Sequence, residues 1–180
     1  MTIRDIIRMG HPTLRKIAEP YTPENIGSKE FHSLIDDMKA TLKASGGIGL
    51  AAPQINEPVQ IVIIEVPDSG TRYGVTESLP FTIYINPKVQ VIEEASAGYW
   101  EGCLSIPGMM GFVERPQHIV VDYLSETGEK QSIELKGFLA TVFQHELDHL
   151  QGHLYIDHIK DLSLFTYEHE YREFHLKDEQ

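Results

Sequence analysis

Two histidines four residues apart, His145 and His149, flank Glu146 in the stretch QHELDH at residues 144–149. On an α-helix the two imidazoles lie one turn apart, about 6 Å along the axis, so both can reach one cation. Glu146 is then free to act as an acid or base on a water molecule beside the metal. An exposed polar helix face would give the same letters. However, the apolar Phe138 and Val142 continue the stripe, which indicates that the histidines face inward.

The residues after His149 do not complete a known peptidase motif. The extended zinc-peptidase pattern requires another histidine six residues later, where this chain has Tyr155. His153 would lie about 12 Å along the axis from His145, too far to bind the same ion with bonds of about 2 Å. No methionine follows Met110, so the turn beneath such peptidase sites is also missing. We therefore expect His153 to be exposed or hydrogen-bonded, and we look elsewhere for a third ligand.

The chain contains one cysteine, Cys103, which excludes an internal disulfide. A lone cysteine is most often a small buried apolar residue. The neighbouring Gly102 and Pro107 nevertheless suit an extended segment whose backbone can approach a ligand closely. A thiolate with two imidazoles would leave one tetrahedral position for water, as in catalytic zinc sites. Sequence spacing alone leaves open whether Cys103 meets the histidines.

Length and composition predict one globular domain over residues 1–180. Fifteen basic and 27 acidic residues give a formal charge of -12, which argues against binding to nucleic acids or anionic membranes. No apolar run approaches the roughly 18 residues that a membrane span needs. The first residues lack the pattern of a secretory signal.

The periodicity of apolar residues predicts an α+β fold, because strands dominate the middle of the chain and helices flank them. Ser28 is a plausible N-cap for the first long helix, and Gly46 a plausible stop. The predicted elements are a short helical piece at Leu14–Ala18, a helix over Ser28–Ala44, strands at Val59–Val66, Phe81–Ile85, Val89–Ile92, near Val113, at Ile119–Leu124 and Gln131–Leu135, a turn at Glu126–Glu129, a helix after Gly137 and a terminal helix over Leu162–Leu176.

Three separate segments resemble the signature motifs of bacterial peptide deformylases of type 1, and they occur in that family's order. The segments are GIGLAAPQ at 47–54, EGCLS at 101–105 and QHELDH at 144–149. Gly10, Pro12, Leu14, Arg15 and Pro20 resemble the family's N-terminal stretch, so the similarity covers nearly the whole chain. The resemblance implies small mixed or antiparallel sheets packed around a central helix that carries the HExxH motif.

The resemblance also implies an activity: hydrolysis of the N-terminal formyl group of formyl-methionyl nascent polypeptides, which releases formate. Water bound to the metal would attack, with Glu146 as general acid and base. Gln54, through its amide, and Leu104, through its backbone N–H, would stabilise the oxyanion. Without the family, Gln54 would pass for an ordinary loop residue. The implied metal ligands are Cys103, His145 and His149, and the implied substrate contacts are Ile48, Gly49, Gly102, Phe138 and Val142, of which core packing would explain Ile48, Phe138 and Val142 equally well.

One divalent metal ion per chain is implied, with Fe2+ as the physiological ion. A site of one thiolate and two imidazoles also accepts Zn2+, Ni2+ or Co2+, and ligand softness does not choose between them. Glu101 and Arg115 resemble a Glu and an Arg that the family is expected to join as a buried ion pair. The implied setting is the bacterial cytoplasm.

The tail bears on possible partners. Some relatives are thought to dock transiently at the ribosome through a basic C-terminal helix. From Phe165 onward this chain has five acidic and two basic residues, which suits RNA poorly. Two other functions stay open: a metallopeptidase that cuts internal peptide bonds, and a metal-binding or interaction protein without catalysis.

Overall fold

An antiparallel sheet lies between two helices in the computed structural model, which describes residues 1–67 and 78–176. The strand order is β1-β2-β3-β4-β5, and β6 pairs with β4. The only parallel pairing found within the described ranges is a single bridge between Glu19 and Val59. The elements are α1 (Lys29–Ser45), β1 (Gly49–Ala51), β2 (Ile61–Val66), β3 (Leu79–Cys103), β4 (Ile106–Leu124), β5 (Lys130–Lys136), α2 (Gly137–Leu150), β6 (Phe165–Tyr167) and α3 (Glu168–Glu170).

Strand β2 is buried on both faces, which explains its unbroken apolar run IVII at residues 61–64. Because side chains alternate along a strand, Val62 and Ile64 join the apolar cluster that includes α2. Ile61 and Ile63 join the cluster that includes α1. Full burial of one such side chain contributes about 1.5–3 kcal/mol. The strand therefore anchors both helices against the same sheet.

The two long helices occur where the sequence predicts them. The Ser28 hydroxyl caps α1 by accepting a hydrogen bond from Phe31 N at 3.1 Å. Gly46, with φ of 68°, ends that helix in the left-handed conformation that glycine adopts readily. The predicted helix after Gly137 is α2, and it carries the QHELDH stretch. The predicted α+β class is confirmed.

Several boundary predictions were wrong. The first helical piece is a 3₁₀ helix over Pro12–Arg15 and not Leu14–Ala18. The strands predicted near Val113 and at Ile119–Leu124 are one strand, β4.

The segments Phe81–Ile85 and Val89–Ile92 belong to one long strand, β3, whose hairpin with β4 contains register shifts. In the sequence, Pro87 and the residues at the bulges interrupt the strand pattern and so look like strand ends. In the structure, the pairing with β4 continues past them.

The C-terminal helix is shorter than the predicted Leu162–Leu176. Phe165–Tyr167 forms strand β6 along Met109–Gly111, and helical structure resumes only at Glu168 and continues as a π-turn over Tyr171–His175. Aromatic and β-branched residues favour a strand when an edge is available. The tail charges at Lys177, Asp178 and Glu179 lie outside the described residues. No helix of the described part is long and apolar enough to cross a membrane.

Candidate metal centre

Cys103 meets the two histidines of α2 at the point where β3 ends. Its Sγ lies 3.4 Å from His149 Nε2. One ligand atom from each of Cys103, His145 and His149 lies within 4.8 Å of the other two. Neighbouring imidazoles on successive turns of α2 place their ring centroids 5.3 Å apart. The helical spacing and the strand end therefore converge on one point.

These three side chains fit a divalent transition-metal ion. They offer one sulfur and two imidazole nitrogens, which is a three-ligand set of the type that catalytic sites use with one position left open. Cys103 is only 6% exposed and His149 only 1% exposed. A burial this deep excludes competing solvent from the ligand atoms, except on the side of the cleft described below.

The electrostatics favour the thiolate form of Cys103. Burial alone would raise the pKa of this thiol, but the imidazoles of His149 and His145 hold it at about 5. Conversely, burial alone would lower the pKa of His145, yet Cys103 and Glu101 raise it well above the usual value. At neutral pH the cysteine is therefore already a thiolate, and metal binding displaces the proton that His145 carries instead.

A chain of charged side chains supports His145 from behind. Glu101 Oε2 accepts a hydrogen bond from His145 Nδ1 at 2.7 Å, which leaves Nε2 for a metal. Arg115 donates to Glu101 from Nε at 2.6 Å and from Nη2 at 3.1 Å. Its third contact, from Nη1, is to Asp148 at 2.9 Å. Burial would raise the pKa of Glu101, but His145 and Arg115 lower it, so the carboxylate stays charged.

Glu101 and Arg115 thus form the buried pair that the resemblance implies. Asp148, the other partner of Arg115, was missed by the sequence reasoning. The signal was available, because Asp148 lies inside the QHELDH stretch, three residues after His145. Residues three apart lie on the same side of a helix.

Glu146 lies beside the ligands with one carboxylate oxygen unused. Its Oε2 is buried and has no hydrogen-bond partner among the described residues. Burial raises the pKa of this carboxyl group. A Cβ placed on Gly49 would lie 2.3 Å from Glu146 Oε1, so glycine is required there to make room for the carboxylate. Glu146 therefore has the position and the free acceptor that a general base needs.

Gln54 is held by its own backbone turn. Its Oε1 accepts from Ala51 N at 2.9 Å, which turns the amide nitrogen toward the site. Nε2 then lies 3.6 Å from Cys103 Sγ and 3.3 Å from Ser105 Oγ. With only 2% exposure, Gln54 is a fixed donor and not the loop residue that its sequence context also allowed. Leu104 follows Cys103 directly and lines the same cleft.

A cleft opens over these residues, and every predicted substrate contact lies in its wall. Its lining includes Ile48, Gly49, Gly102, Phe138 and Val142. Their role in substrate binding stays a prediction. Sequence reasoning missed Tyr99, Trp100 and Thr141, which also line the cleft. Tyr99 could have been found, since strand alternation places it on the same face as Glu101.

His153 does not join the three ligands, as its spacing predicted. It is exposed. Its ring lies instead near His158, with centroids 6.2 Å apart.

Comparison with known proteins identifies the family. The polypeptide deformylase model matches residues 3–164. The chain belongs to this family. A peptide deformylase of Leptospira biflexa is 40% identical over 167 residues, which is 93% of each chain. Peptide deformylase 2 of Pseudomonas putida is 42% identical over 165 residues, or 92% of each chain.

Solved structures agree with the sequence relatives. A Met-Ala-Ser-bound class I type b peptide deformylase from Acinetobacter baumannii superposes with a TM-score of 0.84 at 31% identity, over 88% of this chain and 99% of that one. The peptide deformylase from Thermotoga maritima gives 0.78 at 34% identity, over 89% and 100%. The resemblance read from three motifs is therefore confirmed. The chain is a deformylase whose Cys103, His145 and His149 form a group able to hold one metal ion.

Proposed function

We propose that the chain removes the formyl group from N-formylmethionyl nascent polypeptides in the bacterial cytoplasm, with Fe2+ as its native metal. Residues 1–180 would act as one catalytic domain. The observation that carries the proposal is the buried thiolate and imidazole group with the unpartnered Glu146 Oε2 beside it. The Met-Ala-Ser peptide bound by the Acinetobacter relative has the sequence that deformylation of formyl-Met-Ala-Ser would leave, which supports the substrate class.

When bound, a divalent ion at Cys103, His145 and His149 supplies a Lewis acid and lowers the pKa of water toward neutrality. Glu146 takes a proton from the attacking water. Gln54, through its side-chain amide, and Leu104, through its backbone N–H, donate to the formyl oxygen as it gains negative charge. The C–N bond of the formamide then breaks, and Glu146 delivers its proton to the leaving amine. One water is consumed, and formate and a free amino terminus are produced.

The cleft suits an unbranched methionine side chain. Ile48, Phe138 and Val142 offer apolar surface, and methionine fills irregular apolar slots well. The backbones of Gly49 and Gly102 would approach the peptide closely because they carry no side chain. Zn2+, Ni2+ or Co2+ would replace Fe2+ at the same ligands. We expect no membrane or direct nucleic-acid partner, and any ribosome contact would be transient.

The test is formate release from formyl-Met-Ala-Ser by protein loaded anaerobically with Fe2+. Glu146→Gln keeps the size of the side chain but removes the base, so we expect the rate to fall by about 10²–10⁴-fold with metal content unchanged. Cys103→Ala should lose the metal. His169→Ala, an exposed histidine on the tail, should match the parent in both respects.

Three results would contradict the proposal. Equal rates for the parent and Glu146→Gln would remove Glu146 from catalysis. Cleavage of unformylated peptides at internal bonds, without formate release from the formylated one, would identify an internal peptidase instead. Stoichiometric metal in Cys103→Ala would move the third ligand elsewhere.

A further inference from the structure

A second group of metal-ligating side chains lies outside the deformylase site. It consists of Asp148, His153 and His158, and one ligand atom of each lies within 4.8 Å of the other two. The same separation relates Cys103, His145 and His149. Unlike those ligands, His153 is exposed and the side chain of His158 is 38% exposed. Neither residue lines the cleft.

The backbone after α2 builds this group. Gly152, with φ of 73°, reverses the chain, and the backbone N–H of His153 then donates to Asp148 O at 2.9 Å. His158 is the last residue of a short 3₁₀ helix, Tyr155–His158. Asp148 is fixed independently by Arg115 Nη1. A backbone hydrogen bond, a side-chain hydrogen bond and a short helix therefore fix the positions of these three residues.

His158 and Asp148 lie in direct contact, at a separation that two ligands of one ion can also adopt. His158 Nε2 lies 2.9 Å from Asp148 Oδ2. The nitrogen is enclosed, and its contact departs from ideal hydrogen-bond geometry. His158 still interacts with Asp148, because burial would raise the pKa of that carboxyl group and His158 lowers it. A ring nitrogen and a carboxylate oxygen at this distance can share one proton or, without that proton, bind one cation. Ligand atoms of a tetrahedral zinc ion, with bonds of about 2 Å, lie at similar separations.

The surrounding charges permit a cation. Asp148 is one carboxylate, and its ion pair with Arg115 leaves the local charge near neutral. Asp157 lies close enough to interact electrostatically with His153. Neutral imidazoles add no charge of their own, so binding of a divalent ion would not place it against a net positive surface.

We propose that Asp148, His153 and His158 form a second metal site, selective for a zinc-type divalent ion and separate from the deformylase centre. Two imidazole nitrogens and one carboxylate oxygen suit Zn2+, Co2+ or Ni2+ and suit Mg2+ or Ca2+ poorly. Because His153 is exposed, water can reach the site from its side and complete the coordination. No ligand is shared with the catalytic group, although Asp148 and His149 are neighbours in the chain.

Zn2+ binding to the holoenzyme tests this site. The first site is loaded with Ni2+, excess metal is removed, and Zn2+ is then titrated by isothermal calorimetry with metal analysis of the dialysed protein. The parent should bind one Zn2+ in addition to its retained Ni2+. His153→Ala and His158→Ala should each lower the affinity for that second Zn2+ by at least about tenfold. Loss of a ligand lowers metal affinity at least as much as loss of a residue that hydrogen-bonds to a ligand.

His169→Ala is the matched control, because His169 is also exposed and lies near two carboxylates, Glu170 and Glu173. It should bind Zn2+ as the parent does. Co2+ gives a second readout: a thiolate charge-transfer band marks the Cys103 site, and the second equivalent should add ligand-field bands without it. A parent that binds no second ion, or second-site affinity unchanged in both His153→Ala and His158→Ala, would overturn the proposal.

Discussion

The β3–β4 hairpin carries two acid–base pairs in opposite environments, one near its turn and the other midway along its length. Near the metal centre, Arg115 contacts Glu101, and their side chains are 5% and 6% exposed. Further along the same hairpin, His118 contacts Glu93 and also Glu134 of β5, and these carboxylates are 65% and 58% exposed. The two pairs join similar chemical groups across similar strands.

The two pairs differ in what happens to the carboxylate when its partner is lost. Water can solvate Glu93 and Glu134 if His118 is lost, so that pair is an adjustable surface contact. Glu101 has no such alternative, since burial makes an unpaired carboxylate costly. Glu101 also fixes the ring of a metal ligand. The buried pair therefore joins stability to function, whereas the exposed pair affects stability alone.

The largest test of this contrast is Arg115→Ala. It leaves the buried Glu101 and the mostly buried Asp148 without their shared cation, so we expect a loss of about 3–5 kcal/mol in the free energy of unfolding. Urea unfolding of metal-loaded and metal-free protein measures it. Glu93→Ala is the comparison in the exposed pair and should change the free energy of unfolding little. Similar losses in both variants would erase the distinction.

Gly49→Ala tests how closely the metal centre beside the buried pair is packed. The new Cβ would lie 2.3 Å from Glu146 Oε1, so the carboxylate must shift. A misplacement of about 1 Å can cost about 10²-fold in rate, and we expect a loss of that order in kcat for formate release with the metal retained. Gly47→Ala is the matched control, because its Cβ would meet nothing nearer than 3.0 Å: the side-chain ends of Leu104 at 3.0 Å, Leu42 at 3.3 Å and Ser45 at 3.4 Å. Equal kcat values for the two variants would contradict the prediction.

Glu101→Gln removes the charge of the support but keeps its size. The amide oxygen can still accept from His145, yet it stabilises the ligand less, so we expect metal affinity to fall by about 10–100-fold. Competition with a chelator measures this affinity. An unchanged affinity would mean that Glu101 positions Arg115 and does not tune His145.

Much of the fold could be predicted from local patterns. The predictions that failed concern elements whose bounds depend on contacts between residues far apart in the sequence. The spacing of Phe31, Ile35, Met38 and Leu42 identifies α1, because one helix face packs on one sheet. Local sequence could not show that two predicted strands form the single strand β3, because β3 continues past its bulges only through its hydrogen bonds with β4. The strand at Phe165–Tyr167 likewise depends on the free edge of β4 near Met110.

The site divides in the same way. His145, Glu146 and His149 follow from helical spacing, which is a local property. Cys103 is 42 residues away from His145 in the chain, and only the family motifs linked the two before the structure did. Helical spacing also places Asp148 on the side of α2 that carries His145, but its contact with Arg115 depends on how α2 packs against β4.

The smallest expected effect is a pH-dependent change in the free energy of unfolding when the exposed pair loses its imidazole, in His118→Gln. Hydrogen bonds to Glu93 and Glu134 raise the pKa of His118 above its usual 6.5 in the folded protein. The stability that this imidazolium contributes is therefore complete below about pH 6.5, and it is lost as the pH rises through the raised folded pKa. We expect the parent to exceed the variant in free energy of unfolding at about pH 6 and the gap to close by about pH 9. Urea unfolding at both pH values measures the gap, and salt should narrow it at the lower pH, since exposed charges are screened. A gap that is constant or grows with pH would place the contribution of His118 in packing instead of charge, and the two pairs of the hairpin would then differ in the kind of interaction as well as in burial.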